Sequence, residues 1–490
     1  MGYSMPSSAH SDDILRIIGQ LSNDGARSGE PGAWATIREA IRGSHVEYTT
    51  VSIGRAIVLL AVPMVLELVL ESVFALVDVF FVARLGADSV ATVGVTEAIL
   101  SIVYATASGL CIGATAVVAR RIGERDRDGA ARAAVQAIAL GVIVAVPLGA
   151  LGAAFAPQLL GTVIGAGPDV LQHVAYARIM FGFNGVILML FLINAVFRGA
   201  GDPAIAMRVL WIANAINICL DPCLIFGLGP FPRLGVAGAA VATTTGRTVG
   251  MLLQLFVLWK GTERLAIGRR HLRLVPEVML NMVRLSGSAV AQSLVITSSW
   301  LGLIRILSSF GSDALAGYTI AIRIVVFALM PSWGLANAAA TLVGQNLGAG
   351  RPDRAEISVW RTCFYNAAIL LGISAVLVVF ARPIVSAFSR DPSVGAVAIS
   401  GLRIIAGGFL FYAYGFVLTQ AFNGAGDTLT PTLINLFCFW VFEVPLAWVL
   451  ANPVGAGPAG VFFAIALSFS AMGVVSAVLF RRGRWKTLRV

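Results

Sequence analysis

Long apolar stretches separated by short polar connections run along almost the whole chain. In a helix that rises 1.5 Å per residue, about 20 apolar residues cross the roughly 30 Å hydrocarbon core of a bilayer. The stretches that meet this length are numbered here as spans 1 to 12. They lie near residues 57–82, 91–119, 132–154, 173–197, 204–227, 235–259, 279–308, 316–344, 357–381, 396–421, 429–451 and 457–480. The pattern predicts an all-α integral membrane protein with twelve transmembrane helices.

A six-residue motif occurs twice and indicates an internal repeat. Phe197-Arg-Gly-Ala-Gly-Asp202 returns as Phe422-Asn-Gly-Ala-Gly-Asp427, 225 residues later, and Gly123 aligns with Gly348 at the same offset. In each copy we expect the glycines to end one helix and the aspartate to cap the next. Such duplication is typical of proteins that move solutes across a bilayer.

The repeat divides the chain into two similar lobes. Each half has six spans, so both copies enter the membrane from the same side. We predict an N-terminal six-helix lobe over residues 51–260 and a C-terminal six-helix lobe over 277–480. A pseudo-two-fold axis along the membrane normal is expected to relate them, with a cavity between. A polar extension (1–50), a basic linker (261–276) and a basic tail (481–490) complete the chain.

Composition and charge agree with a membrane setting. Hydrophobic residues make up 58% of the chain and charged residues 12%, which is too few to cover a soluble globule. The net charge of +10 does not indicate nucleic acid, because the basic residues concentrate in the even-numbered connections and both tails. By the positive-inside rule we expect a multi-pass plasma (inner) membrane protein with both termini cytoplasmic.

The N-terminal extension and the cysteines do not indicate a catalytic or metal-binding site. Residues 1–50 lack the pattern of a secretory signal, so we expect them to stay attached. Within them, Trp34–Arg42 is read either as a short interfacial helix or as a partly helical tail. The five cysteines fall inside predicted spans without metal-ligand spacing, which favours a packing role.

Several motifs together resemble the multidrug and toxic compound extrusion (MATE) family. They are Pro63–Gly86, Phe197–Pro203, Asn217–Gly227 and Gly235–Thr243, and the resemblance covers about residues 50–480. It implies export of organic cations or other amphipathic compounds, driven by inward Na⁺ or H⁺. The expected partners are then a small organic substrate and the bilayer. No enzymatic activity, cofactor or nucleic acid is expected, and the chain is expected to act as a monomer.

Carboxylates within the spans are candidate functional groups, because a charge at the bilayer centre costs about 2.5–3.5 kcal/mol or more. These acids are Glu67, Glu71 and Asp78 in span 1, Glu97 in span 2, Asp221 in span 5 and Glu443 in span 11.

Four oxygen-bearing residues of the N-terminal lobe form the main candidate site. Asn217 and Asp221 lie four apart, hence on one face of span 5, and Asp78 and Thr243 are expected at similar depth. We expect a cation or proton site here. The family resemblance implies the same, with an Asp on the first helix, an Asn and an Asp on the fifth and a Thr on the sixth. A hydrogen-bond cluster that only holds the lobe together is the alternative.

The repeat provides an internal comparison for this site. At the offset of 225 residues, Asp78 corresponds to Leu303 and Asp221 to Leu446. Spans 7 and 10 also lack the carboxylates that some members of the family carry there. These differences favour ion coupling in the N-terminal lobe, with no bound metal expected beyond Na⁺ at that site.

Further residues of spans 1 and 11 have two interpretations each. Glu67, Glu71 and Asp78 share one stripe of a helix, which suggests an ion path, although Glu67 and Glu71 could instead pair with arginines. Pro63 removes a helical hydrogen bond and predicts a kink that could act as a hinge. Glu443 is the single acid within the spans of the other lobe. It is expected either to contact substrate or to bond to a neighbouring helix.

Other functional classes fit the sequence less well. The only lysines, Lys260 and Lys486, each follow a tryptophan, so the chain has no nucleotide-binding Gly-x-x-x-x-Gly-Lys-Ser/Thr loop. A membrane enzyme is disfavoured because neither His-Glu-x-x-His nor Asp-x-x-x-Asp occurs. The closer alternative is a flippase for lipid-linked oligosaccharides or lipids, whose cavity should be basic. It stays open here because the orientations of four arginines are undetermined: Arg178, Arg247, Arg305 and Arg403.

Overall fold

The computed structural model describes residues 31–164 and 168–488. Most of the predicted extension (residues 1–30) and the last two residues of the predicted tail lie outside this part of the chain. The described residues form helices joined by turns, without a β-strand. Ten helices are each long and apolar enough to cross a membrane, and two bent pairs raise the described spans to twelve when each pair counts once.

The spans are numbered α1 to α12 in chain order. The N-terminal lobe holds α1 (Ile53–Ala83), α2 (Ala87–Gly123), α3 (Arg127–Ala154), α4 (Pro168–Gly182 with Asn184–Ala200), α5 (Pro203–Phe226) and α6 (Val236–Lys260). The C-terminal lobe holds α7 (Pro276–Leu307), α8 (Ser312–Gly348), α9 (Pro352–Val379), α10 (Pro392–Gly407 with Phe409–Ala425), α11 (Leu429–Ala451) and α12 (Pro458–Arg481). The bends within α4 and α10 are 41° and 58°, at equivalent places in the two lobes.

The repeated motif forms the same backbone turn in both lobes. Gly201 and Gly426 adopt φ of +88° and +86°, a left-handed conformation that glycine enters without steric cost. The aspartates differ, however. Asp427 caps the next helix by accepting a hydrogen bond from the backbone N–H of Thr430 at 3.1 Å. Asp202 does not cap α5, contrary to our expectation, because its carboxylate pairs with Arg264 at 3.4 Å.

The lobes pack against each other through equivalent glycines, as a pseudo-two-fold axis requires. A Cβ atom at Gly109 of α2 would lie 2.5 Å from the backbone nitrogen of Val290 in α7. A Cβ atom at Gly334 of α8 would lie 2.9 Å from the backbone nitrogen of Val65 in α1. Both members of the second pair are related to the first by 225 residues. Close backbone approach at small residues is how membrane helices commonly associate.

The lobes also meet at the end of the bundle that carries both described termini, here called the basic end. Gly123 of α2 lies against the carbonyl of Gln345, and the equivalent Gly348 of α8 lies against the carbonyl of Arg120. The Gln345 side chain donates a hydrogen bond to the carbonyl of Gly199 at 3.1 Å. The two lobes are therefore in direct contact at this end.

Residues 44–52, the N-terminal strap, lie across the basic end and touch both lobes. The Tyr48 hydroxyl donates to the carbonyl of Gly201 in the N-terminal lobe at 3.0 Å. From the C-terminal lobe, Arg351 donates to the carbonyl of Thr49 at 2.7 Å. Burial raises the pKa of Tyr48, so its hydroxyl stays protonated and able to donate at neutral pH.

A short helix, Ala33–Arg42, precedes the strap and packs on α1. Its Glu39 pairs with Arg55 at 2.8 Å, while Trp34 is 83% exposed. The segment is therefore helical over its whole length.

Candidate functional site

A cavity of about 570 Å³ lies between the lobes. The N-terminal lobe supplies most of its wall, and Thr341 of α8 and Gln420 of α10 contribute from the C-terminal lobe. Glu67, Glu71 and Asp78 all line it, which confirms that they share one face of α1. The acids therefore border a space large enough for a small organic molecule.

The four residues of the predicted cation site lie on three neighbouring helices. Asn217 of α5 donates a hydrogen bond to the Thr243 hydroxyl of α6 at 2.9 Å. Asp221, one turn further along α5, is fully buried and within electrostatic range of Asp78 on α1. Asp78 and Thr243 also line the central cavity.

Several oxygen atoms of this group lack a partner. Both carboxylate oxygens of Asp221, Oδ1 of Asp78 and Oδ1 of Asn217 are buried and accept no hydrogen bond within the described residues. Buried polar atoms are nearly always paired, so unpaired ones call for a specific explanation. Hard cations prefer carboxylate and amide oxygens, and a proton can equally be held by a carboxylate. A hydrogen-bond cluster alone accounts for only the Asn217–Thr243 contact.

Glu67 belongs to a separate polar network. It is 3% exposed and accepts hydrogen bonds from Arg198 at 2.9 Å and from the Asn194 amide at 3.1 Å. Asn194 in turn accepts a hydrogen bond from Gln254 of α6. The network joins α1, α4 and α6 near the centre of the lobe.

Glu71 forms a second ion pair one turn further along α1. Its Oε1 atom accepts a hydrogen bond from Arg247 at 2.9 Å and its Oε2 atom accepts one from Asn214 at 3.2 Å. The Arg247 guanidinium also lies 5.5 Å from the centre of the Phe191 ring, a cation–π distance. Glu97 of α2 has a different partner and accepts a hydrogen bond from the Tyr104 hydroxyl at 3.3 Å.

The arginine pairing of Glu67 and Glu71, one of the two interpretations, is thus present. Arg198 was not anticipated as a partner. One sequence signal existed, because Arg198 is the position at which the duplicated motif differs, with Asn423 in the other copy. Asn194 and Asn214 carried no comparable signal.

The four arginines whose orientation the sequence left open differ in whether they line the central cavity. Arg247 is 7% exposed and faces the central cavity. Arg178, Arg305 and Arg403 are exposed and are not among the residues that line the central cavity.

Pro63 lies in α1 and Glu443 lies in α11. Pro63 is buried inside α1, and the helix continues through it from Ile53 to Ala83. Glu443 is 2% exposed and lines a second cavity within the C-terminal lobe. Leu303, the repeat partner of Asp78, is buried in the apolar core of that lobe.

Two six-span lobes around a shared, partly charged cavity define a membrane transporter. A family model named MatE matches residues 63–223 and 288–449, more than half of the chain, and its two segments begin 225 residues apart. The chain belongs to the MATE family. It is a transporter of small molecules in a family of multidrug exporters, not an enzyme, and needs no enzymatic cofactor.

Individual relatives agree with this assignment. The "Probable multidrug resistance protein YoeA" of Bacillus subtilis is 28% identical over 82% of this chain and 88% of its own length. The "FAD transporter" of Shewanella oneidensis is 26% identical over 88% of this chain and 95% of its own. A solved structure, "Crystal structure of MATE in complex with MaL6", superposes with a TM-score of 0.83 at 25% identity, covering 91% of this chain and 97% of that one.

Proposed function

We propose that the protein exports organic cations or other amphipathic compounds in exchange for Na⁺ or H⁺ by alternating access. The unpaired oxygen atoms of Asp78, Asn217 and Asp221 carry this proposal, because they are buried acceptors on two neighbouring helices beside a substrate-sized cavity. Thr243 completes the set through its contact with Asn217.

The position of Asp78 provides a physical basis for coupling. It belongs to the oxygen group and also lines the cavity, so an ion held there and a substrate in the cavity share one side chain. An ion gradient drives export only if the two species compete for, or alternately stabilise, the same region. Glu67 and Glu71 extend the polar face toward the basic end and are a proposed path for the ion. Pro63 is a proposed hinge in the same helix.

The basic end is proposed to face the cytoplasm of a cell bounded by the plasma membrane. The distribution of arginines supports this orientation. Contact between the lobes at that end, through Gly123 and Gly348, then corresponds to a state closed toward the cytoplasm. Both termini would lie inside the cell.

Proteoliposomes test the proposal directly. Dye efflux should follow an imposed Na⁺ or pH gradient and should disappear in Asp78→Asn and Asp221→Asn. Leu446→Ile, at the repeat position of Asp221, and Asp353→Asn, 91% exposed, are matched controls that should transport normally. Undiminished gradient-driven export by both aspartate variants would refute the ion site. The substrate panel should include FAD, because one relative is named for it.

The flippase alternative has less support. A site for a lipid diphosphate needs unpaired cationic side chains in the cavity. The cavity arginines Arg198 and Arg247 are instead each paired with a glutamate at 2.9 Å. Arg178, Arg305 and Arg403 do not line the cavity.

A further inference from the structure

The C-terminal lobe contributes most of the wall of a second cavity, of about 280 Å³, in which aromatic rings lie among aliphatic and uncharged polar side chains. Its rings belong mainly to Tyr318, Trp333, Tyr412, Phe416, Phe439 and Phe469. No lysine, arginine or histidine lines it among the described residues. The cavity therefore differs in character from the central one, in which arginines accompany the acids.

Glu443 is the only acidic residue in this aromatic wall as described. It is 2% exposed, and its Oε2 atom is buried without a hydrogen-bond partner among the described residues. It sits at the end of a π-helical segment, Leu436–Glu443, in the middle of α11. Such local widenings of a helix are frequent at functional sites.

The aromatic side chains are held in place by their own contacts. The Trp333 indole N–H donates to the Tyr412 hydroxyl at 3.0 Å. The Tyr412 ring stacks on Phe416 with centroids 5.4 Å apart and lies 4.7 Å from the Phe469 ring. The cage is therefore ordered before any ligand enters, which reduces the entropic cost of binding.

The charge balance in this cavity points to a cation. A buried carboxylate without a counter-ion is costly, in contrast to Glu67 and Glu71 with their arginines. Aromatic faces attract a cation that is large and weakly hydrated, such as a quaternary ammonium or phosphonium group. A divalent metal ion would meet a single carboxylate, because the other oxygen atoms of the wall belong to uncharged amides and hydroxyls such as those of Gln292 and Thr419, which is a weak ligand set.

We propose that this cavity binds the charged group of a lipophilic organic cation, with Glu443 as its counter-ion and the aromatic rings as its cage. The proposal rests on the proposed export function and refines it. Ser108, Ile112 and Gln420 line both cavities, so one substrate can contact the two spaces. Recognition of the substrate's charge is thereby separated from the ion site of the other lobe.

Binding of radiolabelled tetraphenylphosphonium to the purified full chain, without any gradient, tests this site. Glu443→Gln should weaken binding at least about tenfold, because a charge-assisted contact is lost. Glu277→Gln, an exposed acid of the same lobe, should leave the affinity unchanged. An affinity within twofold of the parent in a folded Glu443→Gln protein would overturn the proposal.

A second comparison covers the case in which Glu443→Gln does not fold. Triphenylphosphine oxide is a neutral molecule of similar shape and should bind the parent protein at least about tenfold more weakly than tetraphenylphosphonium. Trp333→Leu, which removes one wall of the cage, should weaken binding of the cation more than binding of the neutral compound. Equal affinities for the two probes would overturn the proposal. Loss of gradient-driven export with intact cation binding would instead count against the proposed coupling alone.

Discussion

Arg247 and Glu71 face each other across the N-terminal lobe, with Nη2 and Oε1 separated by 2.9 Å. The pair joins α6 to α1 beside the central cavity, and the arginine side chain is buried. Breaking a buried pair leaves one uncompensated charge, which typically costs about 3–5 kcal/mol. Because the Glu71 side chain is 24% exposed, we expect the loss of stability to lie at the lower end of that range.

We therefore predict that Arg247→Ala lowers stability by about 3 kcal/mol. The double variant Glu71→Gln with Arg247→Met should recover most of that loss, because no charge remains unpaired. Thermal unfolding of detergent-purified protein measures both. Equal stability of the single variant and the parent would show that the ion pair does not contribute to the stability of the fold.

The glycine contact between the lobes predicts a steric effect on transport. In Gly109→Ala the new methyl group would collide with the backbone of Val290, so α2 and α7 must separate. Gly287→Ala in α7 is the matched control, because a Cβ atom there meets no atom within 4 Å. Alanine at that site should stabilise the helix by up to about 1 kcal/mol.

Dye efflux and spin-label distances between the lobes distinguish the two glycine variants. Gly109→Ala should reduce transport severalfold and broaden the distance distribution, and Gly287→Ala should change neither. Normal transport by Gly109→Ala would mean that the lobes tolerate a wider separation than this packing implies.

The N-terminal strap predicts a local change at the basic end. Arg264 donates hydrogen bonds to the carbonyls of Val46 at 2.6 Å and Ser44 at 3.2 Å, and its guanidinium lies 4.5 Å from the Tyr48 ring. Arg264→Ala should therefore expose the strap, with amide hydrogen exchange over residues 44–52 faster by at least about tenfold. Arg270→Ala, whose ion pair with Asp128 is solvent-exposed, should leave that exchange unchanged. Unchanged protection in Arg264→Ala would show that other contacts hold the strap.

Much of the architecture was predictable because it depends on hydropathy and on repetition. Span lengths follow from bilayer thickness, and the 225-residue offset that aligns Gly123 with Gly348 also relates the contacts of Gly109 and Gly334. The shared face of Asn217 and Asp221 followed from helical spacing alone. These features require no knowledge of how one helix is rotated against another.

The partners of the buried acids depend on helix rotation, which hydropathy does not encode. Arg247 could have faced lipid or cavity, and only packing of α6 on α1 decides between them. Asp202 fails to cap its helix because Arg264, 62 positions along the chain, competes for its carboxylate. The widened turn before Glu443 is likewise invisible in an apolar stretch.

The turn made by the duplicated motif has a consequence for how such a molecule changes over time. Its shape is fixed by Gly201 and Gly426, and not by the residues that precede them, Arg198 and Asn423. A charge at position 198 is therefore compatible with the same backbone as an amide at position 423. Duplication gave the chain two copies of one backbone scaffold. The side chains of each copy could then take on different roles while the backbone shape stayed the same.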